Sequence, residues 1–251
     1  MCEIMLHYTS SDSIALLTID RPHRRNALSA ELAGQLSELL RKLDEDESIR
    51  AIVITGSSPG FCAGSDLKEL SGMTIAEMCR HEADTAALAR SIGRLSNPVI
   101  AAVDGFAMGG GFLFALSCDL VVTSKTCVWR LPEVSIGWIP PWGLEALVAR
   151  SGPIVARRLA WGTEPIDGKE AYRLGVADYL AASADVTMEA MEIATKLAAL
   201  PGPAVAATKR YFSAISGASG EVRDYEASLL FAENCEHDAA KATLQKFGMK
   251  I

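Results

Sequence analysis

The 251-residue chain has no C-x-x-C pair among its six cysteines, which stand at positions 2, 62, 79, 118, 127 and 235. A disulfide framework and a zinc ribbon are therefore disfavoured. Its four histidines, at 7, 23, 81 and 237, show no metal-ligand spacing, so no bound metal is expected. No basic block stands out, and 24 Lys and Arg against 31 Asp and Glu give a net charge of −7. That balance disfavours a nucleic-acid partner. The apolar runs 98–103 and 112–118 are too short to span a bilayer, and Asp119 ends the second. The opening residues lack a basic segment followed by an apolar core, so no secretory signal is expected. The patterns G-x-G-x-x-G and G-x-x-x-x-G-K-[ST] are missing, and so is the serine-hydrolase elbow G-x-S-x-G. These absences lead to the expectation of a cytoplasmic, metal-free protein with no membrane or nucleic-acid partner.

What is present is enough for a sizeable core. Apolar residues make up 49% of the chain and charged residues 22%, which excludes disorder. Segment 13–20 predicts a strand, ended by Arg21-Pro22. Leucines at 32, 36, 39, 40 and 43 predict a helix over 29–46, with Ser29 as its N-cap. Buried-type strands are predicted at 51–55, 98–103 and 120–123, and helices at 66–70, at 83–95 and from about 110. Short β-branched runs alternating with helices argue for an α/β fold built from parallel β-α units. After residue 142 the patterns are helical: 144–150, 155–160, 168–174, 186–200, 204–216 and 221–246. An α/β core over 1–185 followed by a helical region over 186–251 is the expected organisation.

Two glycine loops echo one another. Gly60-Phe61-Cys62-Ala63-Gly64-Ser65 follows one buried strand, and Gly105-Phe106-Ala107-Met108-Gly109-Gly110 follows the next, at an offset of 45 residues. Each places a glycine just before a helix, where free backbone N–H groups point outward. The two turns are either ordinary strand-to-helix connections or a pair of donors converging on one oxygen, an oxyanion hole.

Four blocks of the chain resemble the crotonase superfamily, the enoyl-CoA hydratase/isomerase family. Arg21-Pro22 through Asn26-Ala27-Leu28 resembles its R-P-x-x-x-N-A-L, and Phe61 through Lys68 its F-x-A-G-x-D-[LI]-K. Asn97-Pro98 through Gly111 resembles K-P-x-I-A-A-V-x-G-x-A-x-G-G-G, and Pro132-Glu133 through Gly137 resembles P-E-x-x-x-G. The blocks run in the family's order across essentially the whole chain. The resemblance implies a crotonase-like spiral of β-β-α units with a C-terminal helical trimerisation region, hence a homotrimer or a hexamer. It implies an acyl-CoA thioester substrate and no separate cofactor, since coenzyme A is part of the substrate. By motif position the hole donors are the N–H groups of Ser65 and Gly110, and Ala63, Asp66 and Leu67 of the same block count as substrate-binding residues.

Resembling hydratases use two glutamates, one in G-G-G-x-E and one in the P-E block, because adding water to C=C needs a base and an acid. Here the first position is Leu113 and the second is Glu133, at the family's spacing of 20. A leucine activates no water. One glutamate suffices to move a proton from the α- to the γ-carbon, so the resemblance points to an enoyl-CoA isomerase with Glu133 as its catalytic residue. Leu113, Trp138 and Trp142 are the neighbours expected to desolvate Glu133 and raise its pKa. Lys68, Arg24 and Arg25 lie in blocks where relatives meet the CoA nucleotide. Phe247 and Lys250 form an F-x-x-K resembling a pair that reaches a neighbouring subunit's CoA site. Glu69, Asp104 and Glu145 are candidates for a second acidic group. A hydratase, a decarboxylase, a thioester hydrolase and a catalytically weak acyl-CoA-binding protein are the alternatives.

Overall fold

The computed structural model describes residues 5–182 and 185–248. Strands β1 (Leu6–Ser11) and β2 (Ile14–Ile19) form an antiparallel hairpin turned at Asp12 and Ser13, both at positive φ. β1 was not legible from hydropathy: five of its six residues are exposed, so it carries no alternation. From β2 onward the sheet is parallel, through β3 (Ala51–Gly56), β4 (Val99–Val103), β6 (Leu120–Thr123) and β8 (Tyr179–Leu180). Its order is β1-β2-β3-β4-β6-β8. The short strands β5 (Phe106–Met108) and β7 (Val128–Arg130) pair in a second layer, prolonged by single bridges Leu28–Ser65, Cys62–Ala107 and Trp129–Ile166. Each turn of the chain thus lays one strand in the large sheet, one short extended segment in the small layer, and then a helix. This is the spiral of β-β-α units.

The helices follow from sequence in the same local way. In α1 (Ala30–Glu45), Ser29 Oγ accepts the Leu32 N–H at 3.2 Å, and Leu32, Leu36, Leu40 and Leu43 are buried. Each such leucine contributes about 1.5–3 kcal/mol. Asp66 caps the single turn α2 (Leu67–Leu70). Helix α3 (Ile75–Ile92) starts eight residues before the helix read from periodicity, behind a Thr74/Glu77 capping box. Its buried face includes His81, Glu82 and Thr85, and these polar residues hid the apolar stripe.

Helix α4 (Gly110–Leu116) is buried all round. The predicted segments 144–150 and 155–160 form one α5 (Leu144–Ala160), interrupted at Gly152, whose φ of 76° and ψ of 161° are not helical. α6 (Gly168–Arg173) precedes β8, and α7 (Val186–Ala198) packs over β2, β3, β4 and β6. The break expected near 217–220 is not there: α8 (Gly202–Cys235) runs through it, and the chain turns at Glu236-His237 into α9 (Asp238–Phe247). α8 lies against α3 and α5, and α9 against α2. A separate cluster of Leu70, Met78, Trp138, Phe231, Cys235, Ala240 and Leu244 therefore joins the C-terminal helices to the glycine-loop end of the spiral. No described helix is long and apolar enough to cross a membrane.

Candidate active site

The two glycine loops lie side by side. Cys62 pairs with Ala107, Phe61 N–H donates to Phe106 O at 2.9 Å, and Met108 N–H to Cys62 O at 2.9 Å. The sequence offset of 45 is therefore the pairing register itself. Gly64, at φ +88°, lets the two turns close: a Cβ there would lie 2.8 Å from Gly110 N. A Cβ on Gly110 would lie 3.7 Å from Ser65 N. Leu28 bonds Gly64 O and Asp66 N–H but not Ser65 N–H, and no described acceptor takes the N–H of Ser65 or Gly110. Two unpaired backbone donors thus adjoin, as an oxyanion hole requires.

The carboxylate of Glu133 stands beside them. Its Oε1 is 3.0 Å from where a Gly109 Cβ would be. The residue as a whole is only partly buried, but Oε2 is sealed from solvent and has no hydrogen-bond partner. Burial pushes the carboxyl up to about 8, with a smaller upward push from the charge of Glu82. The loop that carries it is pinned by the C-terminal helices. Ile139 N–H donates to Asn234 Oδ1 at 2.9 Å, Thr243 Oγ1 donates to Ile136 O at 2.9 Å, and Trp138 packs on Phe231.

A cavity of about 70 Å³ joins these groups. Of the residues read from sequence, Ala63, Ser65, Leu67, Gly110, Leu113, Glu133, Trp138 and Trp142 line it. The others are elsewhere. Asp66 does not face the cavity: it is buried beneath the loop, its Oδ2 paired with Arg21 at 3.2 Å and its Oδ1 capping α2. Lys68 is exposed on α2, beside the lining residue Leu67. Arg24 sits on a short 3-10 turn, partly buried and away from the lining. Phe247 is 42% exposed at the end of α9, where its carbonyl accepts Ser71 Oγ of the same chain. Lys250 lies outside the described residues.

Leu113 is fully buried, with its Cβ 2.9 Å from where a Gly143 Cβ would be, so it fills space and holds no water. Glu69, Asp104 and Glu145 are not in the lining; Glu82 of α3 is. Sequence reading missed Glu82 because periodicity started α3 at residue 83. The Thr74-x-x-Glu77 capping box would have started it early enough to put Met78, Glu82 and Thr85 on one face. Burial pushes the thiols of Cys62, Cys118, Cys127 and Cys235 up to about 12, so none of them is a thiolate nucleophile. Among the described residues no group of acidic, His and Cys side chains is arranged to hold a metal.

Comparison with known proteins agrees with this geometry. Residues 9–250 match the profile of the enoyl-CoA hydratase/isomerase family. A probable enoyl-CoA hydratase of Mycobacterium bovis is 30% identical over 241 residues, covering 94% of this chain and 90% of that one. A carnitinyl-CoA dehydratase of Proteus mirabilis is 32% identical over 218 residues, 86% of this chain and 83% of its own. The crystal structure of an enoyl-CoA hydratase/isomerase from Mycobacterium paratuberculosis superposes with a TM-score of 0.88 at 25% identity, covering 96% and 98% of the two chains. Paired glycine turns with two free N–H groups, a buried glutamate beside them, and a match over nearly the full length lead to one conclusion: the chain belongs to the enoyl-CoA hydratase/isomerase family, in the crotonase superfamily.

Proposed function

We propose that this chain moves the C=C bond of a 3-enoyl-CoA into conjugation with the thioester, with Glu133 carrying the proton from the α- to the γ-carbon. The observation that carries this reading is the contact of Glu133 with Gly109, one residue before the hole donor Gly110. A thioester oxygen bound by the Ser65 and Gly110 N–H groups would present its α-carbon to the carboxylate. Loss of the α-proton moves charge onto that oxygen, where one donor is worth about 100- to 1,000-fold in kcat. A carboxyl near 8 is a stronger base than an ordinary glutamate and still ionises near neutral pH. Leu113 stands where the resembling hydratases have their water-activating glutamate, which favours isomerisation as the chemistry of Glu133 alone.

Lys68, exposed beside the cavity lining, suits the phosphates at the CoA end. No further cofactor is needed. The large side chains of Tyr211, Val222, Tyr225, Leu229 and Leu230 are exposed along α8, and other copies of this chain are the occupants we assign to that face, as a homotrimer or a hexamer.

The reading is tested by incubating the protein with a panel of 3-enoyl-CoA thioesters in deuterated water. Expected is a shift of the double bond toward the 2-enoyl position with deuterium incorporated at carbon, and loss of both signals in Glu133→Gln. A folded protein that neither shifts the bond nor exchanges the α-proton of any thioester in the panel refutes it.

A further inference from the structure

Glu82 lies in the first half of α3, is only 4% exposed, and lines the same cavity as Glu133. Its Oε2 accepts the indole N–H of Trp142 at 2.9 Å.

The side chain that holds Glu82 also touches the hole. Trp142 Cζ2 is 3.1 Å from where a Gly110 Cβ would be, so one indole spans from Glu82 to the donor turn. Consecutive residues of that turn thus meet the two carboxylates, Gly109 by direct contact with Glu133 and Gly110 through Trp142. The placement of Trp142 is itself secured. Gly143 N–H donates to Asp224 Oδ1 at 2.9 Å, and Asp224 is ion-paired with Arg90, further along α3 from Glu82. α3, the turn at 141–143 and α8 are closed into one circuit around the carboxylate.

We propose that Glu82 is the second catalytic carboxylate of this site, supplied by α3 in place of the position occupied by Leu113, and that it activates a water for addition to the β-carbon of a 2-enoyl-CoA. The water O–H bond breaks and its proton goes to Glu82 as the O–C bond forms at the β-carbon. The C=C electron pair moves toward the thioester, whose oxygen is held by the Ser65 and Gly110 N–H groups. Protonated Glu133 then gives its proton to the α-carbon; Glu82 releases the water proton to solvent and Glu133 takes one up, so both carboxyls are restored and the net change is addition of one water. Two carboxyls in one cavity, one held neutral by burial and one held by an indole donor, divide these acid and base parts between them. The inference rests on the reading of Glu133 and the hole given above. It makes the product of the double-bond shift the substrate of a second step in the same cavity. Trp142 is a positioning residue for Glu82.

The test follows two signals in the wild type, Glu82→Gln and Trp142→Phe. One is mass gain by water on a 2-enoyl-CoA; the other is α-proton exchange on a 3-enoyl-CoA in deuterated water. Expected is that the wild type gives both, and that Glu82→Gln loses hydration by about 100-fold or more while keeping exchange. Glutamine still accepts the indole N–H, so retained exchange also reports an intact site. Trp142→Phe keeps the wall but not the donor, and should lower kcat for hydration with KM little changed. Exchange without hydration in the wild type overturns the role of Glu82 while leaving that of Glu133 standing, and so does hydration that survives in Glu82→Gln. Loss of exchange together with hydration in Glu82→Gln overturns it as well, since the residue would then be structural. Absence of both signals in the wild type overturns the underlying reading of Glu133 instead.

Discussion

Glu133 Oε1 lies 3.0 Å from where a Cβ on Gly109 would be, so the proton-carrying carboxylate rests directly on the turn that supplies the hole. Gly109 has φ +55° and ψ −131°, a backbone region open essentially to glycine. Gly109→Ala therefore strains the turn by about 1–3 kcal/mol and pushes the carboxylate off it. The expected outcome is a lower midpoint in urea together with a fall in kcat larger than any change in KM. Unchanged kcat in the folded variant would show that contact with Gly109 does not set the Glu133 geometry.

The pKa of Glu133 gives two rate profiles of opposite sign. As the base for double-bond shift, Glu133 must be ionised, so kcat/KM for that reaction should rise with pH through about 8. As the donor of a proton to the α-carbon during hydration it must be protonated, so that rate should fall through the same value. Measuring both reactions over pH 6–10 (roughly the range spanning that titration) checks the assignment. Two profiles of the same sign would place one of the two roles on another group.

The same shift bears on stability. The unfolded carboxyl ionises near 4.5 and the folded one only near 8. Below both values the group is neutral in each state and costs nothing. Between them the unfolded chain is favoured by ionisation, so stability falls as pH rises and levels off above about 8. Glu133→Gln removes this penalty, which is on the order of a few kcal/mol. The variant should be inactive yet melt higher than wild type at pH 8, with the difference shrinking toward pH 4 (about the unfolded carboxyl value). Equal melting points at both pH values would show that the carboxyl is better solvated than its orphaned Oε2 indicates.

The two carboxylates show how far the chain could be read without coordinates. Glu133 stands in a contiguous P-E block, and Cys62 and Ala107 pair at the spacing of the echoed loops, so local sequence carried both. The parallel strands were legible because burial on both faces makes them continuous β-branched runs. Glu82 was hidden by its own function-like features: a charged side chain on a buried face breaks the apolar stripe that would have marked the helix. Its partner Trp142 is 60 residues away, and no local pattern encodes such a contact. The sequence read as separate helical segments over 204–216 and 221–246, but α8 continues across the gap, because packing against α3 and α5 outweighs a cost of about 1 kcal/mol for each glycine there.

Asp66 offers a test of structure against binding. It is buried with Arg21 at 3.2 Å, and Arg21 also donates to Ala27 O at 2.6 Å, tying the first motif block to the second. Asp66→Ala strands a buried guanidinium and removes the cap of α2. The expected loss is about 3–5 kcal/mol for the broken pair and about 1 kcal/mol more for the cap. Asp66→Asn keeps an oxygen for the cap and should lose less. Denaturant titration of both variants checks the order; equal loss would mean that the oxygen kept by Asp66→Asn contributes nothing to the cap.

Lys68 is the opposite case, an exposed charge beside the site. A solvated ion pair contributes about 0.2–1 kcal/mol, so Lys68→Ala should raise KM for an acyl-CoA by no more than about fivefold. kcat should stay as it was, because Lys68 is outside the cavity that holds Glu133 and the hole. Salt screens charges separated by more than about 10 Å at 0.1 M and weakens exposed pairs generally, so the difference in KM should shrink as salt is added. A thioester truncated to pantetheine lacks the nucleotide phosphates and supplies the control. On that substrate wild type and Lys68→Ala should have the same KM at every salt concentration. If the variant is impaired equally on the full and the truncated thioester, Lys68 does not meet the nucleotide end, and its effect comes from α2 and the Ser65 loop behind it.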